Sequence, residues 1–339
     1  MAERLKMCLF FAAFPGQVYP VAKALEEYFD IDVAYLFEGN PTIPFEIDLP
    51  KVNIITSDTA DISKYDIFFG FDISAIPLLL HLKDHTGKKV GCNILDLPSH
   101  TFIPKTRNYL PHIQKMWSQY GGVLSYLDFL TSWKKIDIDE LQGLSIPTCP
   151  LFHPVNTLNL NPRDFQIKKQ LCYSGIVRPD KGVHMILEAI SMADTSIKLL
   201  VLGVGPDLSS LASFLKVPYE QIPNCSEMDK YKHYHESSAI ITFPDNPRIV
   251  SQCGLEGISI GKPVIAADWP EARRIYGDFG IYAEPFNVYD LSRKIEMIFE
   301  LPQFINIYTE GSRDFCAKYR SNERWALELY EFLRRENIV

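Results

Sequence analysis

The sequence predicts an α/β protein made of two doubly wound parallel-sheet domains, and three observations carry that prediction. The chain has 339 residues, more than one hydrophobic core usually serves. Apolar runs without polar alternation recur from end to end, as strands covered on both faces require. Stretches with helical spacing separate them, which is the rhythm of strand–helix–strand crossovers.

In chain order, "MCLFFAA" (7–13) is the first strand and "VAKALEEYF" (21–29) the first helix. "IDVAYLF" (31–37), "VNIIT" (52–56), "DIFFGF" (66–71), "KVGCNILD" (89–96) and "GVLSYL" (122–127) read as further strands, with helices at 73–83, 105–119 and 127–135. The pattern loosens into prolines and asparagines over 146–162, which marks a linker. Beyond it "QLCYSG", "IKLLVLG", "SAIITF", "KPVIAA" and "GIYAE" are strands. Helices are expected near 180–193, 207–215, 226–236, 250–260, 269–276 and 288–300, with two closing stretches at 303–319 and 322–336. The predicted domains are 1–155 and 156–302, followed by closing helices over 303–339.

A formal net charge of −8 argues against a general nucleic-acid binder. Residues 1–155 carry a net −5 and the remainder −3, so neither half is a basic module. The seven cysteines are dispersed and form no CxxC pair, the pattern of small buried thiols in a reduced protein. The first residues do not read as a signal peptide and no apolar run approaches a bilayer span. A soluble cytoplasmic protein is expected.

The chemistry concentrates in "YSGIVRPDKG" (173–182). A strand-end glycine, Gly175, lets backbone amides approach a ligand closely. Arg178 and Lys181 at the start of a helix then add positive charge where the helix dipole already favours an anion. An arginine fork and a lysine point charge both suit phosphate, although a solvated basic turn explains the stretch equally well. "LLVLGVGPD" sets Gly203 and Gly205 after a strand, a weak signal shared with ordinary turns. In "FPDNPRIVSQCGLEGISIGKPVIAAD" (243–268) the amides of Ser251, Gln252, Cys253 and Gly254 open a helix. Glu256 falls in its first two turns, where a carboxylate could accept ribose hydroxyls. A plain surface glutamate is the alternative.

These blocks, with "GIYAEPFNVYDL", resemble in order and spacing the nucleotide-sugar domain of glycosyltransferase family 4, the retaining GT-B enzymes, over roughly 170–300. The first half matches only in its strand–helix rhythm and in Gly16. The resemblance implies two Rossmann-like domains, an acceptor side (1–155) and a donor side (156–302), with the closing helices packing back on the first. It implies a nucleoside-diphosphate-sugar donor of the UDP or GDP type, a saccharide, lipid-linked or other hydroxyl acceptor, and no cofactor or metal. By position Lys181 is the diphosphate lysine, with Arg178 beside it, and Glu256 is the ribose glutamate. Gly203 and Gly205 line the nucleotide pocket, and "IPNCSEM" (222–228), with Asn224, borders the base. Ser226 and Asp229 in that loop also read as a capping box, which explains the sequence without a ligand.

Three positions depart from the family pattern. Ile176 stands where an arginine is usual, Arg248 where the first glutamate of Glu-x7-Glu belongs, and Ser251 where a glycine belongs. Arg248 suggests a donor sugar or acceptor group bearing a carboxylate or phosphate. A salt bridge from Arg248 to Asp245 or Asp268 is the competing reading. In the first half, Asp96 and His100 are candidate acceptor contacts, set against capping and loop roles. His153 sits near the linker and reads as a hydrogen-bonded hinge histidine. The basic, aromatic stretch 105–117 suggests shallow peripheral membrane contact, or an ordinary surface helix. Two other readings stay open: a nucleotide-sugar epimerase, and a GT-B protein that binds a nucleotide sugar without transferring it.

Overall fold

The computed structural model describes residues 4–11, 15–35, 53–55, 61–94, 121–135, 139, 144–155, 165–247 and 249–339. The chain divides into two compact units, Met1–Pro154 with Arg320–Val339, and Val155–Tyr319. Residues 303–319, expected among the returning helices, therefore group with the second unit, and the return begins at Arg320.

The first unit holds a seven-stranded sheet made of β1 (Lys6–Phe11), β2 (Asp30–Tyr35), β3 (Asn53–Ile55), β4 (Ile67–Phe71), β5 (Lys89–Ile94), β6 (Phe129–Ser132) and β7 (Thr148–Pro150). Their order is β3-β2-β1-β4-β5-β6-β7 and every pairing is parallel. All five residues of β4 are buried, as a continuous apolar strand inside a covered sheet must be. Helix α1 (Pro15–Leu25) follows β1 and α2 (Ile76–Thr86) follows β4.

Residues 122–135 correct the sequence reading. The expected strand at 122–127 is a 3₁₀ helix, Gly121–Tyr126, and the expected helix at 127–135 contains β6. A short apolar run fits either element by periodicity alone. Here Asp128 decides: its carboxylate accepts the Val90 N–H at 2.9 Å and pairs with Lys83 at 3.0 Å, which sets the next four residues beside β5.

The second unit holds a six-stranded parallel sheet of β8 (Lys168–Ser174), β9 (Lys198–Leu202), β10 (Tyr219–Ile222), β11 (Ser237–Thr242), β12 (Val264–Ala267) and β13 (Gly280–Ala283), in the order β10-β9-β8-β11-β12-β13. Its helices are α3 (Val183–Ala193), α4 (Ser209–Phe214), α5 (Glu227–Glu236), α6 (Gln252–Ser259), α7 (Pro270–Tyr276) and α8 (Val288–Glu300). The expected closing helix 303–319 is two, α9 (Pro302–Thr309) and α10 (Ser312–Tyr319), broken at Gly311.

Helix α11 (Asn322–Arg335) belongs to the first unit, where Ser321 caps it by accepting the Arg324 N–H at 3.2 Å. Trp325, Leu329, Phe332 and Leu333 enter the core formed by β1, β4 and α1. The Trp325 ring stacks on Phe71 with centroids 6.0 Å apart, and Tyr330 stacks on Tyr28 at 4.6 Å. Leu329, Phe332 and Leu333, each fully buried, contribute roughly 1.5–3 kcal/mol apiece. Among the described residues no helix is long and apolar enough to cross a membrane.

At the amino ends of β11 and β12, Lys262 Nζ donates to the carbonyls of His235 (2.7 Å) and Ser237 (2.8 Å). His235 stacks on Phe165 at 4.9 Å, and its buried Nε2 has no hydrogen-bond partner among the described residues. Burial, with the Lys262 and Arg313 cations nearby, pulls its pKa down from 6.5 to about 4. Between those values the unfolded chain binds a proton that the folded chain refuses, so stability falls as pH drops from 6.5 towards 4. We expect His235→Phe to remove on the order of 2–3 kcal/mol of that acid loss. Denaturant titrations at pH 4, 5, 6 and 7 measure it, and an unchanged acid limb would assign the loss to other groups.

Candidate functional site

In the second sheet the chain runs β8, β9, β10 towards one edge and then returns to β11, β12, β13 towards the other. The topological switch point therefore lies between β8 and β11. Open α/β sheets take ligands outside the carboxyl ends of their strands at that point. The turn after β8 carries Arg178 and Lys181, and the loop after β11 leads into α6 with Cys253, Gly254 and Glu256.

Two loops continue the pairing of β8 and β9 past their ends. The Gly175 N–H donates to the Leu202 carbonyl at 2.9 Å and the Val177 N–H to the Val204 carbonyl at 2.8 Å. Gly203 has a backbone reason to be glycine: at φ +152° its missing Cβ would lie 2.1 Å from the Gly175 carbonyl oxygen. Gly205 follows in the same turn, against Val177. Tyr173, buried at the end of β8, donates its hydroxyl to the Ile176 carbonyl at 3.0 Å, while the Ile176 side chain is exposed.

Lys181 ends a short 3₁₀ turn, Pro179–Lys181, that Gly182 closes by donating to the Pro179 carbonyl at 3.1 Å. Gly182 is left-handed at φ +68°, and a Cβ there would lie 1.9 Å from the Phe243 carbonyl oxygen. The Asp245 N–H donates to the Asp180 carbonyl at 3.1 Å. The lysine turn is thus fastened directly to the loop that opens α6. Arg178 Nη2 donates to the buried Asp180 carboxylate at 2.7 Å, so this arginine is committed to its own turn as well as placed beside Lys181.

Ser251 stands at the N-cap of α6. Its carbonyl accepts the Tyr276 hydroxyl at 2.5 Å and the Gly254 N–H at 3.2 Å, and its Oγ lies 3.0 Å from Cys253 Sγ. Trp269 ties down the same loop by donating Nε1 to the Pro244 carbonyl at 3.0 Å.

Glu256 is not a surface residue: it is 5 % exposed. Its Oε1 accepts from Lys230 Nζ at 2.9 Å and its Oε2 from the Tyr234 hydroxyl at 2.7 Å. Lys230 also pairs with Glu227 at 2.5 Å. Burial alone would lower the Lys230 pKa, but the carboxylates of Glu256 and Glu227 overcome it and hold the ammonium above its ordinary value. Burial raises Glu227, and burial followed by Glu256 raises Tyr234. Sequence reasoning missed Glu227, Lys230 and Tyr234. Their signal was present, since spacings of three and seven put them on one face of α5.

The remaining candidates separate clearly. Asn224 is exposed in the loop after β10. In that loop Ser226 caps α5, accepting the Asp229 N–H at 3.1 Å. Gly16 lies in the first turn of α1, the helix that follows β1. Arg248, Asp96, His100 and the stretch 105–117 lie outside the described residues. Asp268, a suggested partner for Arg248, is held by Arg273, whose Nη2 donates at 2.7 Å. His153 Nδ1 is 3.0 Å from the Pro154 carbonyl, with its ring against Trp133 at 4.0 Å. Among the described residues no three of His, Cys, Asp and Glu come together as a metal set.

No family model and no curated protein sequence matches the chain. Its fold does match solved structures. Sucrose-phosphate synthase from Thermosynechococcus elongatus aligns with a TM-score of 0.76 at 12% identity, covering 98% of this chain and 99% of that one. A glycosyltransferase from Rickettsia africae aligns at 0.73 with 16% identity, over 98% and 99% of the two chains. Anabaena HepE, solved in complex with UDP-glucose, aligns at 0.73 with 11% identity, over 98% and 100%. With its two doubly wound parallel sheets, the chain has the GT-B fold.

Proposed function

We propose that the chain transfers a hexosyl group from a UDP- or GDP-linked sugar to a hydroxyl of a saccharide or lipid-linked acceptor, with retention and without a metal ion. The observation that carries this reading is the fastening of the Lys181 turn to the loop that opens α6, at the switch point of the second sheet. A diphosphate lodged there meets an ammonium and the first-turn amides of a helix together. Two of the three similar structures are a sucrose-phosphate synthase and a glycosyltransferase by name, and the third holds UDP-glucose, which supports the same donor class.

In this mechanism the bond from the anomeric carbon to the diphosphate oxygen breaks as the acceptor oxygen bonds to the same face of that carbon. The acceptor proton passes to the departing phosphate. Lys181 and the amides of Ser251, Gln252 and Cys253 meet the charge growing on that phosphate, with Arg178 adding its field from beside Asp180. The Gly254 N–H is turned back to the Ser251 carbonyl. Gly175, Gly203 and Gly205 form the backbone floor, and Asn224 borders the base. Glu256 receives the ribose hydroxyls. The reading keeps the cytoplasmic site of action expected from the sequence, with peripheral membrane contact through the basic, aromatic stretch 105–117 for a lipid-linked acceptor.

A second reading, binding without transfer, is favoured by Arg248 in place of a glutamate and by the engagement of Arg178 with Asp180. Thermal-shift titration with UDP, GDP and ADP tests the donor site. One of UDP or GDP should stabilise the protein by about 2.7 kcal/mol at a hundred times its Kd. Failure of all three to shift the transition would reject the donor site. Acceptor-free hydrolysis of the matching nucleotide sugar then separates transfer from binding alone.

A further inference from the structure

The second unit holds a largely buried charged cluster of which the proposed reaction uses only Glu256. Lys230 and Tyr234 on α5 converge on Glu256 of α6, and Glu227 pairs with Lys230. The Lys230 side chain is 12 % exposed and that of Glu256 7 %. Removing the Glu256 carboxylate and the Lys230 ammonium from water is unfavourable unless the geometry returns it, with Glu227 at the half-buried edge of the pair, and buried ion pairs are poor sources of net stability. A cluster of this kind is better understood by what it orients.

We propose that Lys230 is a positioning residue, which holds the Glu256 carboxylate in one orientation so that it accepts nucleoside hydroxyls. This rests on the reading of Glu256 as the ribose contact. Each carboxylate oxygen has two acceptor positions. Lys230 takes one on Oε1 and Tyr234 one on Oε2, which leaves each oxygen capacity for a further donor. A glutamate side chain free to rotate would have to be ordered on binding. Here the two donors have ordered it beforehand.

Charge reinforces the geometry. Two carboxylates against one ammonium leave the cluster with a single net negative charge. It therefore welcomes neutral hydroxyl donors and repels phosphate, while the Lys181 turn does the reverse. The two places together fix which end of a nucleoside diphosphate lies where.

The test uses the full chain and calorimetric binding of UDP, GDP and ADP, each beside its 2′-deoxy form. For the nucleotide that binds, the natural form should be preferred by about tenfold, the scale of one hydrogen bond to a charged acceptor. Lys230→Gln should reduce that preference below threefold while the 2′-deoxy form keeps its affinity. Lys230→Arg should restore most of it, and Tyr234→Phe should lower it in part. A purely structural lysine would instead weaken both forms equally. Should Lys230→Gln not fold, the comparison passes to Lys230→Arg and Tyr234→Phe, and wild-type preference in Tyr234→Phe would then count against the proposal. If Glu256→Gln loses the preference and Lys230→Gln keeps it, Lys230 is not the positioning residue although the ribose reading stands. If the wild-type protein shows no preference, or binds none of the three, the ribose reading fails and this inference with it.

Discussion

Lys181→Ala is expected to lower kcat by about 10²–10³, the loss that follows removal of one preorganised donor from a site of developing negative charge. The backbone of Lys181 is fixed on three sides: by the 3₁₀ turn, by Gly182 against Phe243, and by the Asp180–Asp245 backbone bond. In the proposed reaction this fixed backbone would spare the site the loop reorganisation that a flexible segment would need. Because charge on that phosphate grows as the bond stretches, kcat should fall more than the donor KM rises. Lys181→Arg should recover only part of the rate, since a planar fork replaces a point charge. Steady-state rates with the nucleotide sugar selected by thermal shift measure both. A change in kcat under threefold in folded protein would remove Lys181 from the reaction.

Gly182→Ala is the substitution with the largest expected effect on stability. The added methyl would lie 1.9 Å from the Phe243 carbonyl oxygen, and the backbone at φ +68° is itself unfavourable for alanine. Neither element can retreat cheaply. Phe243 is fully buried directly after β11, and the glycine precedes α3, six of whose residues are buried. We expect a loss of roughly 2–4 kcal/mol, read as a lower denaturant midpoint for the transition that carries the second sheet. The same strain parts the lysine turn from the α6 loop, so nucleotide stabilisation should fall with it. A midpoint within experimental error of the wild type would show that the two loops are not packed as described.

Much of the fold was legible because whole strands are apolar and whole helices amphipathic. Helix α8 spans 288–300 as expected, since Asn287 caps it and its apolar face repeats at helical spacing. Strand β10 was missed because it is an edge strand whose residues are half-exposed, so it has neither the continuous run nor a clean alternation. The turn at 175–182 was legible as glycine and cations. That Gly182 answers to the Phe243 carbonyl, and that the Gly175 carbonyl lies against Gly203 of the next loop, was not, because those partners are brought close only by the sheet. Glu256 was singled out by position alone. Its partner Lys230 lies 26 residues away on a separate helix, a pairing that no local periodicity encodes.

Helix α11 gives the architecture an order of assembly. A ribosome would extrude all of Val155–Tyr319 before the segment bearing Trp325 and Leu329 emerged. The earlier-made sheet must wait, with an apolar face uncovered, for a part translated after its neighbour. Nascent chains stalled within that interval would be vulnerable to proteases and chaperones in the portion synthesised first.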